Sequence, residues 1–132
     1  MNLHAAVGDA ETELRARDLD HEALVARRGA GGLMNLDRML LHSPPFAEGW
    51  NLMIGRVRRD LALDAKLREL AVCTVAVLNG ADYELHHHRP VWMAAGGTEE
   101  QAGALAALDA EKPNLAAFDS TERAVIRLTI EM

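Results

Sequence analysis

The stretch from Ala65 to Leu78 constrains the fold of this chain more than any other part of its sequence. Asp64 precedes it as a helix cap, and Asn79 with Gly80 supplies a stop signal. Its residues are apolar on both sides of the predicted helix, so we expect the helix at the centre of the fold or between subunits. The stripe that best fits the helical period is Leu67, Leu70, Ala71, Thr74, Val75 and Leu78, and the opposite side holds Val72, Cys73 and Ala76.

The rest of the chain predicts further helices and a single domain of 132 residues. Its hydrophobic content of 49% is enough for a core, and its aromatic content of only 4% favours helix over strand. We therefore expect an all-α compact bundle, with a peripheral N-terminal helix or arm over residues 1–32. A last helix over residues 119–132 has no stop signal, which predicts that the chain is truncated or completed by a partner. Further helix starts are marked by Ser43-Pro44-Pro45, by Thr98 with Gln101, and by Asp119 with Glu122.

Charge and cysteine content exclude several classes of function. The net charge of −6 leaves no basic field for nucleic acid or for an anionic membrane surface. Asp9, Glu11 and Glu13 stand where a signal peptide would need a positive flank and an apolar stretch, and the longest nearly apolar run, Leu70 to Leu78, is too short to span a bilayer. We therefore expect a cytoplasmic protein without a signal peptide. Cys73 is the single cysteine, which excludes an internal disulfide, a dithiol redox pair and a cysteine-based zinc site.

Titratable residues that could carry chemistry crowd the segment from Ala81 to Pro90. Glu84 and His88 are four residues apart, so on a helix they share a face and the carboxylate can orient the imidazole. Tyr83 and His87 form a second such pair on the neighbouring stripe. Pro90 cannot donate a backbone hydrogen bond, so the helix should kink there or leave the carbonyl of His86 free.

Glu69 is a third candidate, because it brings a carboxylate into an apolar side of the central helix. Such a group has a raised pKa or a partner. Whether Glu69 meets Glu84 and His88 cannot be read from the sequence. Three consecutive histidines point about 100° apart on a helix and do not converge on one ion. No metal is expected, although a site of Glu84 and His88 with His42 or Glu69 is an alternative.

The spacing of these residues resembles that of a known family. The chain has Glu69, eleven intervening residues, the segment 81–84 and then His88. The alkylhydroperoxidase D-like superfamily, which includes the carboxymuconolactone decarboxylase-like proteins, has a glutamate, a Cys-x-x-Cys motif and a histidine at the same spacing. Here both cysteine positions are filled by other residues, and Glu84-x-x-x-His88 resembles the decarboxylase branch. The segment 67–70 and the turn 96–98 are also similar, and the likeness covers a core of about residues 33–110.

The resemblance implies an all-α bundle of about six to seven helices of the alkylhydroperoxidase D-like type. It also implies a homo-oligomer, trimeric or hexameric, and a lyase that acts without a cofactor on a small lactone or organic acid. In that hypothesis His88 exchanges a proton with the substrate, and Glu84 orients the imidazole of His88. Glu69 is a second, partly protonated acid or base. The candidate substrate-binding residues are Tyr83, His87, His42 and Trp50, although a helix-end role for His42 and a core role for Trp50 are the simpler readings.

Two alternatives remain. The first is a non-catalytic, oligomeric binding protein that keeps the fold and has no pocket around His88. The second is the peroxidase activity of cysteine-containing relatives, which the sequence disfavours because Cys73 lies outside both motif positions and has no resolving thiol.

Overall fold

The computed structural model describes residues 28–132, where all regular structure is helical. Within that range there are six α-helices, one short 3-10 helix and no β-strand, which confirms the predicted all-α fold. Apart from residues 28–32, the predicted N-terminal arm lies outside the described residues. The elements are the 3-10 helix Gly29–Gly31, α1 (Asn35–Leu40), α2 (Pro44–Arg59), α3 (Ala65–Leu78), α4 (Asp82–Ala94), α5 (Glu99–Ala106) and α6 (Ser120–Glu131).

The described residues form two compact units, which divide between Leu61 and Ala62. In the described part of the first unit, an ion pair fixes the start of α1. Arg28 Nε lies 2.7 Å from Asp37 Oδ2, and the same oxygen accepts a hydrogen bond from the backbone N–H of Met34 at 2.9 Å. The small apolar core of this unit consists of Leu41 and Ala47, with Leu33 and Leu40 packed against them.

Helix α2 begins at the predicted place but is only partly covered within its unit. Ser43 occupies the cap position before Pro44, although its side chain makes no capping hydrogen bond. Phe46, Leu52 and Met53 each expose half or more of their surface. This helix therefore presents apolar surface that its own unit leaves uncovered.

The second unit is built around α3, which packs against α4, α5 and α6. Asp64 caps α3 as predicted, since its Oδ1 accepts a hydrogen bond from the backbone N–H of Lys66 at 2.8 Å. The buried core of this unit consists of Leu70, Cys73, Trp92, Ala102, Leu105, Leu115, Phe118 and Ile126.

The burial of α3 agrees only in part with the prediction that both of its apolar sides are covered, since Leu70 and Thr74 of the predicted stripe are buried and Val75 is not. Val75, expected in the buried stripe, is 47% exposed, whereas Glu69 and Cys73 are buried. The helical period identifies which residues share a side, but the neighbouring helices decide which side is covered. Here the packing of α4, α5 and α6 leaves one apolar side of α3 open.

Helix α4 continues through Pro90, where a kink or a free carbonyl was expected. The proline stands nine residues into a helix of 13 residues. The last residues of α4 are held by Trp92, whose carbonyl accepts hydrogen bonds from the N–H groups of Ala95 and Gly97 at 3.1 and 3.0 Å. The chain then turns into α5.

Both capping boxes predicted in this unit are present. Thr98 and Gln101 exchange hydrogen bonds at the start of α5, and Asp119 and Glu122 do so at the start of α6. Glu122 also accepts a hydrogen bond from Gln101 Nε2 at 2.9 Å and lies 2.6 Å from Lys66 Nζ. One buried carboxylate therefore ties α3, α5 and α6 together.

Among residues 28–132, no helix is long and apolar enough to cross a membrane.

Candidate active site

The turn between α3 and α4 brings their polar residues together. Gly80 has a φ of +61°, which a residue without a side chain adopts at no steric cost. The N–H of Ala81 donates to the carbonyl of Ala76 at 2.8 Å, and that of Gly80 donates to Val77 at 3.2 Å. This pair of bonds is the Schellman arrangement that ends a helix at a glycine. It reverses the chain so that α4 packs back along α3.

Glu69 and His88 meet across the two helices. The Nδ1 atom of His88 lies 2.7 Å from Oε2 of Glu69, a short hydrogen bond between residues nineteen positions apart. The Glu69 side chain is 4% exposed and that of His88 is 19% exposed. The other carboxylate oxygen, Oε1, accepts a hydrogen bond from Nε of Arg68 at 3.2 Å. Each oxygen of Glu69 therefore has its own donor.

The carboxyl of Glu69 is ionised, contrary to the expectation that it is partly protonated. Burial raises the pKa of Glu69. The hydrogen bonds and positive charges of His88 and Arg68 together lower it by more, so the pKa lies below its ordinary value of 4.5. The sequence showed the apolar surroundings of the carboxylate but not the two donors. Glu69 therefore acts as a hydrogen-bond acceptor for His88 at neutral pH.

The second carboxylate, Glu84, lies on the other side of the imidazole. Its Oε2 is 3.6 Å from Nε2 of His88, which is longer than a hydrogen bond, and its side chain is 46% exposed. The predicted proximity of Glu84 and His88 is therefore present. The residue that orients His88 is however Glu69, whereas the sequence-based hypothesis gave that role to Glu84.

Glu84 also lines a pocket on the open side of α3. The pocket has a volume of about 320 Å³, and its other lining residues are small or apolar: Ala71, Val72, Val75, Ala76 and Ala81. These residues include part of the stripe that was expected to be buried. Glu84 therefore belongs both to the lining of this pocket and to the surroundings of His88, which does not itself line the pocket.

The remaining predicted site residues fall into two groups. Tyr83 and His87 are in contact on α4, with ring centroids 4.5 Å apart and an edge-to-face geometry. His42 is exposed after α1, and Trp50 stacks on Phe46 within α2 with ring centroids 6.2 Å apart. His42 and Trp50 belong to the first unit, whereas Glu69, Glu84 and His88 belong to the second. Substrate binding by all four stays a prediction.

Cys73 is one turn along α3 from Glu69 and is fully buried. Burial raises the pKa of its thiol to about 11, and the charge of Glu69 contributes to this increase while Arg89 opposes it. The thiolate is the reactive form of cysteine, so this side chain is a poor nucleophile at neutral pH.

Among residues 28–132, no group of three or more His, Cys, Asp or Glu side chains is arranged to hold a metal ion.

Sequence reasoning missed two partners of this site. Arg68 was noticed only as part of the segment 67–70, yet its guanidinium contacts the carboxylate of Glu69. The sequence does not single out Lys66, although its pairing with Glu122 fixes the start of α3. Arg68 could have been identified from its position, because it is a cation that directly precedes the buried carboxylate of Glu69. No local pattern marks Lys66, since its partner is on a distant helix.

Comparison with known proteins identifies the family of this chain. The model of the carboxymuconolactone decarboxylase family matches residues 44–128, which is more than half of the chain. Comparisons with curated proteins and with solved structures gave no significant match. The matched range includes Glu69, Glu84 and His88, and the all-α fold is the one that the resemblance implied. The chain therefore belongs to the carboxymuconolactone decarboxylase family.

Proposed function

We propose that this protein is a cofactor-independent acid–base enzyme of the lyase type, acting on a small lactone or organic acid. The observation that carries the proposal is the short bond between His88 and the buried, ionised Glu69. A histidine held in this way has one nitrogen fixed and the other available for proton transfer. Membership of the family supports a decarboxylase-like reaction but does not identify the substrate.

The hydrogen bond to Glu69 assigns the roles of the two nitrogens of His88. An ionised carboxylate only accepts hydrogen bonds. Nδ1 therefore carries a proton and donates a hydrogen bond to Oε2. Nε2 is then the atom that gives or takes a proton during the reaction. Glu84 Oε2, at 3.6 Å, can reach hydrogen-bond distance from Nε2 by a side-chain movement of less than about 1 Å.

Decarboxylation fits these roles. Loss of CO₂ breaks the bond between the carboxylate carbon and its neighbour, and the electron pair stays as an enolate-like charge conjugated with a carbonyl of the substrate. A proton on Nε2 of His88 passes to the carbon that carries this charge, which completes the product. His88 then recovers a proton from solvent, so the reaction consumes one proton for each CO₂ released.

The pocket beside Glu84 supports a small substrate. Its walls are formed by alanine and valine side chains of α3 together with Ala81, and Glu84 is the only charged residue that lines it. About 320 Å³ is at the lower end of the size of small-molecule sites. We propose that the apolar part of the substrate lies against α3 and its reacting carbon lies towards Nε2 of His88.

A screen of small lactones and keto acids, followed by CO₂ release, tests the proposal. The wild type should turn over at least one of them, and His88→Ala should lower kcat by about 10²-fold or more. Glu69→Gln should have a similar effect, because a base and its orienter act as a unit. The matched control is His86→Ala, which removes an exposed histidine from the same helix and should retain activity.

Three outcomes would contradict the proposal. Full turnover by His88→Ala would remove this residue from the chemistry. Binding of these compounds without turnover would favour the alternative of a non-catalytic binding protein. Thiol-dependent reduction of hydroperoxides that disappears in Cys73→Ser would favour the peroxidase alternative.

A further inference from the structure

The two oxygens of Glu69 are bound by donors of different kinds. Oε2 faces Nδ1 of His88, and an imidazole can be neutral or positively charged. Oε1 faces Nε of Arg68, whose guanidinium stays charged at any pH that a folded protein survives. The carboxylate thus has one partner whose charge varies and one whose charge is permanent.

A buried carboxylate next to an imidazolium can hold the shared proton on either partner. Transfer of the proton from Nδ1 to Oε2 would turn the ion pair into two neutral groups, and burial favours neutral groups. Glu69 is only 4% exposed, so water does little to stabilise its charge. The permanent charge of Arg68 opposes this transfer, since protonation of Glu69 would leave the guanidinium facing a neutral acid.

We propose that Arg68 is a positioning residue that keeps the proton shared by Glu69 and His88 on the histidine. The inference rests on the proposed function, because it concerns the same pair of residues. With Arg68 in place, His88 retains the proton of Nδ1 and Nε2 keeps its role as the reacting atom. Without Arg68, the proton can move to Glu69 and the imidazole loses its acidic form.

Other charged groups near the pair are already engaged or are more exposed. On α4, Glu84 is 3.6 Å from Nε2, and Arg89 binds Glu99 of α5 at 2.7 Å through an exposed contact. The buried carboxylate of α6, Glu122, is paired with Lys66 of α3 at 2.6 Å. Cys73 is the remaining titratable neighbour on α3, and its raised pKa keeps its thiol uncharged at neutral pH. Among these groups, Arg68 and His88 are the ones that contact the carboxylate of Glu69.

The proton position can be followed without a substrate. In protein labelled with ¹³C at the glutamate carboxyls, the chemical shift of Glu69 Cδ reports its protonation as a function of pH. In the wild type the midpoint should lie below the ordinary pKa of 4.5. In Arg68→Gln it should rise by about one pH unit or more, which is the usual effect of removing an opposite charge at this distance. Arg68→Lys keeps a positive charge and should give a smaller rise.

Arg89→Gln is the matched control, because it removes the same charge from the residue next to His88 but leaves the contacts of Glu69 intact. Its midpoint for Glu69 should equal that of the wild type. An unchanged midpoint in Arg68→Gln, or an equal rise in Arg89→Gln, would overturn the proposal. If Arg68→Gln does not fold, a wild-type midpoint at or above 4.5, or a midpoint in Arg68→Lys equal to that of the wild type, overturns it as well.

These measurements separate the two proposals. Absence of turnover by the wild type would remove the proposed function and leave the NMR result standing. Where turnover is found, Arg68→Gln should lower kcat with little change in KM, and the acidic limb of its pH profile should move towards neutral pH. A purely structural role of Arg68 would lower stability and leave the pH profile of the folded enzyme unchanged.

Discussion

Glu69 shows how a buried carboxylate stays charged when its lost water is replaced by fixed donors. Burial alone raises its pKa, but His88 and Arg68 lower it below the ordinary value of 4.5. The free energy of their hydrogen bonds is therefore available to the folded protein only while Glu69 is ionised. The free energy of unfolding should therefore fall when Glu69 becomes protonated at low pH.

Glu69→Gln should be less stable than the wild type at neutral pH. A carboxyl whose pKa is lowered by folding stabilises the protein fully above its unfolded-state pKa, and this contribution is lost as pH falls through the folded-state pKa. Glu69→Gln should therefore reduce the free energy of unfolding by about 1–3 kcal/mol at neutral pH. The difference from the wild type should shrink as pH falls below 4.5. Urea unfolding at a series of pH values measures it.

Glu99→Gln is a suitable control, because the Glu99 side chain is 79% exposed and its pair with Arg89 lies at the surface. Its stability should differ from that of the wild type by less than about 0.5 kcal/mol at every pH. A Glu69→Gln difference that stays constant on acidification would show that the carboxyl is not ionised in the folded protein.

Between helices, the second unit depends on Glu122 as much as on its apolar core. The Glu122 side chain is 2% exposed and forms an ion pair with Lys66 of α3. It also accepts hydrogen bonds from the side chain of Gln101 of α5 and from the backbone N–H of Asp119. Because α3 carries Glu69, the contact with Lys66 also fixes the start of the helix on which the candidate site depends. The contact of Glu122 with Asp119 joins residues three positions apart, whereas its contacts with Lys66 and Gln101 join residues that are distant in sequence.

Glu122→Ala should therefore be strongly destabilising. It leaves the ammonium of Lys66 without its carboxylate, removes one acceptor of the Gln101 amide and removes one of the two hydrogen bonds of the capping box of α6, for an expected loss of about 3 kcal/mol or more. Glu131→Ala, at the exposed end of the same helix, should cost less than about 0.5 kcal/mol. Chemical unfolding of the two variants gives the comparison, and equal losses would show that the buried contacts contribute nothing.

Sequence reasoning was most accurate where a structure depends on neighbours along the chain. The caps at Asp64, Thr98 and Asp119 are all present, because a cap requires only residues two or three positions away. The bond between Glu69 and His88 joins residues nineteen positions apart, and it depends on how α3 and α4 pack. A spacing rule for a single helix therefore found Glu84 as the neighbour of His88 and could not find the closer partner.

Large apolar side chains remain exposed on both units. On α2, Leu52 is 63% exposed and Phe46 is 56% exposed, and Leu128 of α6 is 60% exposed. Apolar surface that a unit leaves exposed is a common feature of interaction sites. We propose a homo-oligomer, trimeric or hexameric as the family resemblance implies.

Light scattering should give a mass three or six times the 14.4 kDa of one chain. Leu52→Glu places a charge on the exposed apolar side of α2, so it should shift the mass towards that of smaller species by burying an unpaired carboxylate at the contact. Glu48→Gln, at an exposed position of the same helix, should leave the mass unchanged. A wild-type mass of 14.4 kDa at working concentration would show that the chain is stable with these side chains in water. An unchanged oligomer in Leu52→Glu would instead place the contact away from α2.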